Sequence, residues 1–228
     1  MELNADFDKR ATSHLADAEY VPSPMAGVDR RMLDRLGDEV ARATTIVRYA
    51  PGSDFSPHVH TGGEEFLVMS GVFEDEHGAF PAGSYIRNPP ESSHKPGSKP
   101  GCEIFVKLWQ FDMADRTHVR VDTNKAPWFD IDTNGGGGGQ AQGLFADAHE
   151  DVRMERWAAG ADIPLNADGG LEVLVTAGGF EESGETFSAE SWLRLPKGAK
   201  TTAKAGADGV TFWIKRGHLS KPPQAPQT

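Results

Sequence analysis

The chain has 228 residues, a formal net charge of −11 and a pI near 5.1. That length suits one large or two small domains, and the negative field excludes phosphate backbones as natural direct partners. The hydrophobic fraction of 38% and charged fraction of 25% allow a folded core and exclude global disorder.

With 26 Gly and 15 Pro, the composition favours many turns and short strands over long helices. The single cysteine, Cys102, forbids an intrachain disulfide. Together with a polar N-terminus that carries no apolar leader, it points to the cytoplasm. No stretch approaches the roughly 20 apolar residues of a membrane helix.

In chain order, residues 1–41 read as an N-terminal arm, within which DRRMLDRLGDEVAR suits a short helix or an extended docking segment. From Ala43 the texture becomes β-branched and then alternates apolar runs with Gly, Pro, Asp and Ser, so 42–125 reads as an antiparallel sandwich or barrel. Residues 126–150, with the run Gly135 to Gly139, read as a Gly-rich linker. No strand-before, helix-after context makes that run a phosphate cradle. The β texture returns over 151–219, and the Pro- and Gln-rich tail 220–228 is expected to be disordered.

The second half repeats the first. Residues 48–71 align without a gap on 156–179 at an offset of 108, matching Gly52 to Gly160, Glu64 to Glu172 and Gly71 to Gly179. SYIRNPPESSH aligns on SWLRLPKGAKT at an offset of 107, matching Arg87 to Arg194 and Pro89 to Pro196; Phe105 then meets Phe212. Two blocks in this relation imply two copies of one β unit.

One constellation in the first copy carries chemistry. On an extended strand His58 and His60 point the same way. Glu64 has the same parity, with Thr61-Gly62-Gly63 between as a turn or bulge. Two imidazoles and a carboxylate on one face suit Zn, Fe, Mn or Ni, and His94, on a later strand, could supply a fourth ligand. The matching positions in the second copy are Asn166, Asp168, Thr201 and Glu172. These offer only oxygen ligands, which could hold a hard cation such as Ca²⁺ or Mg²⁺; the simpler expectation is a copy that serves packing or assembly. His77, His118, His149 and His218 read as surface residues, and Cys102 as a small buried hydrophobe. Phe66, Val68, Tyr85, Arg87, Phe105 and Trp109 are candidates to line the cavity, with Arg87 as a clamp for an anionic ligand.

GSDFSPHVHTGGEEFLVMSG resembles the first cupin motif: Gly, five residues, His-x-His, three or four residues, Glu, six residues, Gly. Glu64 satisfies both gaps and is the implied ligand, whereas Glu65 leaves the closing Gly one residue short and is expected on the other side of the sheet. GSYIRNPPESSH resembles the second motif, with Glu91 where the motif has Gly; beyond it, Ser98 stands where Asn is frequent. The resemblance implies a mostly β chain of two tandem cupin (double-stranded β-helix, jelly-roll) barrels.

The closer resemblance, over about Ala43 to Trp109, is to the cupin domain of ChrR, a zinc-dependent anti-sigma factor of bacteria. It implies one divalent ion, zinc or iron(II), on His58, His60, Glu64 and His94. ChrR proteins also carry an N-terminal helical domain that binds zinc and the sigma factor. Residues 1–41 contain no cysteine and one histidine, His14, so that part is expected to be absent and sigma-factor binding is not implied. The expected role is regulatory or sensory, tied to stress response or transcription. The alternative is a cupin-type non-haem iron dioxygenase cleaving a diketone or hydroxyaryl ketone, with Fe(II) coordination positions open to O₂ and substrate. A small molecule near the metal and a homodimer formed through edge strands are the expected partners; nucleic acid and membrane are not.

Overall fold

The computed structural model describes residues 1–14, 19–38, 40–131 and 138–226. Among these there are strands and turns but no helix, and hence none long and apolar enough to cross a membrane. In chain order the strands begin with β1 (Ala11–Ser13), β2 (Val21–Pro22), β3 (Val28–Gly37), β4 (Ala41–Tyr49), β5 (Ser53–Asp54), β6 (His58–His60) and β7 (Glu64–Asp75). Next come β8 (Gly78–Pro81), β9 (Ser84–Asn88), β10 (Ser92–His94), β11 (Gly97–Ser98), β12 (Cys102–Leu108) and β13 (Val119–Asp122). The second half holds β14 (Phe129–Asp130), β15 (Gly139–Ala146), β16 (Asp151–Trp157) and β17 (Asp162–Ala167). It ends with β18 (Leu171–Glu182), β19 (Glu185–Ser188), β20 (Trp192–Leu195) and β21 (Ala199–Arg216).

These strands form two compact units. The first comprises residues 1–5, 19–125 and 224–228, and the second residues 6–18 and 126–223. The main sheet of the first runs β13-β9-β7-β12-β4-β3-β2, and that of the second runs β1-β20-β18-β21-β16-β15-β14. The two orders correspond strand for strand, so the fold is two tandem cupin-type barrels.

The boundaries differ from those the sequence suggests. The arm is not a separate element: within it β1 pairs with β20, Ala11 opposite Arg194, and β3 pairs with β4 along its length. The mixed charges of β3 conceal this, because Arg31 and Asp34 are buried. The linker likewise supplies β14 and β15, the latter pairing with β16 from Gly139↔Trp157 to Ala146↔Asp151. Gly135, Gly136 and Gly137 lie outside the described residues, as do the last two residues of the tail.

Each barrel is filled according to strand alternation. In β17 every second residue, Ile163, Leu165 and Ala167, is buried while those between are exposed. They join Val173, Phe180, Phe187, Phe212 and Ile214 in one apolar cluster. The first barrel holds a cluster that includes Val47, Phe55, Phe66, Val68, Phe73, Ile104 and Val106. Cys102 belongs to it as a small hydrophobe, and burial pushes its thiol up to about 11.

Phe187 is fully buried and stacks on Phe180 at 4.8 Å between centroids. Phe187→Ala should therefore lower stability by about 3–5 kcal/mol, read by chemical denaturation. A loss below about 1 kcal/mol, the scale of tolerated volume-conserving swaps, would contradict this packing.

Candidate metal centre

Three of the four residues come from one short ribbon. β6 and β10 pair only with each other, antiparallel, with His58 opposite His94 and His60 opposite Ser92. Side chains at directly opposed and alternate positions share a face, so the pairing itself gathers the imidazoles. Ring centroids are 4.9 Å apart for His58 and His60, 5.0 Å for His58 and His94, and 4.5 Å for His60 and His94. One nitrogen from each of the three lies within 4.8 Å of the others.

Glu64 arrives from the main sheet, at the start of β7 opposite Asn88 of β9. Its Oε2 lies 3.5 Å from His60 Nε2 and 3.7 Å from His94 Nε2, and it accepts a hydrogen bond from Asn88 Nδ2 at 3.3 Å. Ligands about 2.1 Å from a tetrahedral zinc stand about 3.4 Å apart, close to these separations. The Gly62-Gly63 turn that delivers Glu64 is covered by aromatic rings: a Cβ on Gly62 would fall within the Trp109 ring and one on Gly63 against Phe111. Gly63 also has φ +78°, where glycine is favoured.

The electrostatics suit a cation. His60 Nε2 is buried with no hydrogen-bond partner among the described residues. Its pKa is pushed down to about 3, first by burial and then by the neighbouring His94 and His58. Burial raises the Glu64 carboxyl above its ordinary range against the pull of the same histidines. Burial also lowers His94, but the nearby carboxylates of Asp75, Glu64 and Glu76 outweigh it, and the net shift is upward. His58 directs Nδ1 at the Ser56 carbonyl, 3.4 Å away, a contact in which Nδ1 donates and leaves Nε2 with a lone pair.

The neighbouring residues sort by strand parity. Glu65 faces away from the histidines and pairs with Arg87 at 3.1 Å. Arg87 also pairs with Asp115 at 3.0 Å and lies over the Phe111 ring. The expected anion clamp is therefore a correction: Arg87 stands opposite Glu65, not Glu64, on the other face of the sheet and already paired. Phe66 and Val68 do point into the first barrel's core. His218, expected at the surface, is 2% exposed at its side chain and lies 3.3 Å from Glu172. Asn88 and Asp75 were not singled out by the sequence, although both touch the site.

The second copy needs a larger correction. The pairing places Leu165 opposite Thr201 where the first unit places His58 opposite His94. It places Leu171 opposite Leu195, and Glu172 opposite Arg194, where the first places Glu64 opposite Asn88 and Glu65 opposite Arg87. The structural offset through the ligand positions is thus 107, and the counterparts of His58, His60, Glu64 and His94 are Leu165, Ala167, Leu171 and Thr201. A one-residue slip along a strand reverses every face: Asn166 and Asp168 are exposed and Glu172 is the partner of Glu65, not Glu64. Apolar side chains fill the volume where the first barrel carries its polar cluster.

Residues 8–112 match the family described as the ChrR Cupin-like domain. No curated protein matches the chain. Among solved structures, a candidate dioxygenase from Nostoc punctiforme is similar with a TM-score of 0.72 at 16% identity, covering 100% of this chain and 86% of that one. The Escherichia coli pirin YhhW, solved with nickel(II), has a TM-score of 0.64 at 12% identity, covering 92% and 99%. The 7S globulin of Momordica charantia has a TM-score of 0.61 at 10% identity, covering 91% and 84%. At these identities the likeness is one of fold.

Removing Arg87 tests its reassignment. Arg87→Met leaves Glu65 buried without this partner and should cost about 3–5 kcal/mol of stability, while zinc affinity of the folded protein stays at the wild-type value. Loss of zinc affinity without loss of stability would restore Arg87 to the site.

Proposed function

We propose that this chain, a bicupin whose residues 8–112 match the ChrR Cupin-like family, holds one divalent metal ion on His58, His60, Glu64 and His94 and uses it in a regulatory or sensory role. The observation that carries the reading is His60. Its Nε2 is buried, faces His94 and Glu64, and has no hydrogen-bond partner among the described residues. An orphaned polar atom of that kind costs roughly 1–3 kcal/mol, and a cation among the four side chains removes the cost. The two separations from Glu64 to His60 and His94 suit a zinc ion, and a closed four-ligand zinc site would be structural or sensory rather than catalytic.

The site has one open side. His58 is exposed, so a small molecule reaching the metal would enter on its side. The same feature supports the second reading, a non-haem iron dioxygenase. Glu64 is outside the group of mutually close nitrogens, and three histidines alone would leave positions open for O₂ and a ketone substrate.

Metal content separates the readings. The untagged protein is expected to carry about one zinc per chain by elemental mass spectrometry, lost in His58→Ala and His94→Ala, with no oxygen uptake on diketones. About one iron per chain with ketone-dependent oxygen uptake would favour the dioxygenase. No metal, or metal indifferent to both substitutions, would contradict both.

Because the ligands bind in their deprotonated forms, zinc affinity should weaken as pH falls through the imidazole range, most directly through His94, whose pKa is raised. Titrations across that range would show it, and a flat affinity would contradict histidine ligation.

A further inference from the structure

We infer that Asp75 is a positioning residue of the metal site, fixing the ring orientation and tautomer of His94; this rests on the reading of the histidine cluster as a metal centre. Asp75 ends β7, the strand that Glu64 begins. Its side chain is 2% exposed, and its Oδ2 lies 3.5 Å from His94 Nδ1. The other oxygen, Oδ1, accepts the His77 backbone N–H at 2.7 Å, which holds the carboxylate in place. On the opposite edge of the same ring, His94 Nε2 faces Glu64 at 3.7 Å. At that separation the contact is an ion-pair approach rather than a hydrogen bond; a carboxylate there favours the tautomer with the proton on Nδ1, which leaves the Nε2 lone pair for the cluster. Ligating histidines commonly gain orientation and basicity from such a partner.

Two features make the contact more than a chance neighbour. First, Asp75 reaches the inner face only because β7 is irregular. The pairing with β12 steps from Ser70↔Glu103 to Val68↔Ile104, leaving Met69 as an extra residue. The bulge reverses the parity, so Phe73 joins Phe66 and Val68 in the core cluster and Asp75 follows on the same face.

Second, the duplicated unit supplies an internal comparison. Glu182 ends β18 as Asp75 ends β7, and Thr201, at the counterpart of His94, donates to Glu182 Oε1 at 2.9 Å. A carboxylate at this strand end thus touches the same ribbon position in both copies. In the second it also accepts from Arg10 at 2.8 Å. In the first its partner is an imidazole whose other nitrogen faces the ligand group.

The comparison also names the competing account, that Asp75 merely ties the ribbon down. The decisive experiment measures zinc affinity by chelator competition for wild type, Asp75→Ala and Asp75→Asn in the full chain, with melting of the metal-free proteins and ¹⁵N NMR of the His94 ring. Asp75→Ala is expected to weaken zinc about 10–100-fold, to leave metal-free melting nearly unchanged and to shift His94 from Nδ1–H toward a mixture of tautomers. Asp75→Asn keeps shape and an acceptor, and supplies the measurement if the alanine variant does not fold; it is expected to lose less affinity. Unchanged zinc affinity would overturn the inference, as would a loss that merely parallels lower metal-free melting with the His94 tautomer intact. Wild type that binds no zinc or other divalent ion would overturn the metal reading and this inference together, whereas zinc-bound wild type with an equally tight Asp75→Ala would overturn this inference alone.

Discussion

The antiparallel pairing of His58–His60 with Ser92–His94 is the constraint on which the site depends. Thirty-odd residues of chain separate the two strands, and only their register decides whether His94 meets His58 or points to the opposite face. Glu64 comes from a different sheet, across a turn whose two glycines are pressed by Trp109 and Phe111. A cation among these groups would join the ribbon to the main sheet, so the fold and the metal chemistry meet at one point.

Duplication shows what that polarity costs and what replaces it. The second barrel keeps the strand order and the buried pair of the outer face, Glu172 opposite Arg194 for Glu65 opposite Arg87. At the ligand positions it substitutes Leu165, Ala167 and Leu171, all buried. Burying polar groups without partners is unfavourable, and one copy has resolved the matter with hydrocarbon. In the other, the polar groups remain and converge. That contrast within one chain argues that the first cluster is retained for binding rather than for packing.

Much of this was legible in the sequence, and what was not has physical causes. The His-x-His spacing and the later histidine revealed the cluster because alternation on a strand is simple. Asp75 was hidden by the bulge at Met69, which no count of residues from Glu64 exposes. Arg87 looked like a ligand clamp because a cation beside a metal can hold an anion, yet its parity sends it to the opposite face. The gapless repeat alignment placed Asn166 and Asp168 on ligand positions because it missed one deleted residue. β1 carries no local signal at all: its partner β20 lies some 180 residues away, and only the finished sheet identifies it.

Fold likeness to a nickel-bound pirin, a candidate dioxygenase and a 7S globulin leaves function to the site, since one fold serves many activities. The most direct test of the central claim is anomalous diffraction from crystals of the metal-loaded protein, collected at the absorption edge of the metal found in it. The account predicts one peak in the first barrel, about 2.0–2.2 Å from a nitrogen of each of His58, His60 and His94 and from a Glu64 oxygen. A peak elsewhere, or none within coordination distance of these side chains in crystals shown to contain the metal, would contradict it.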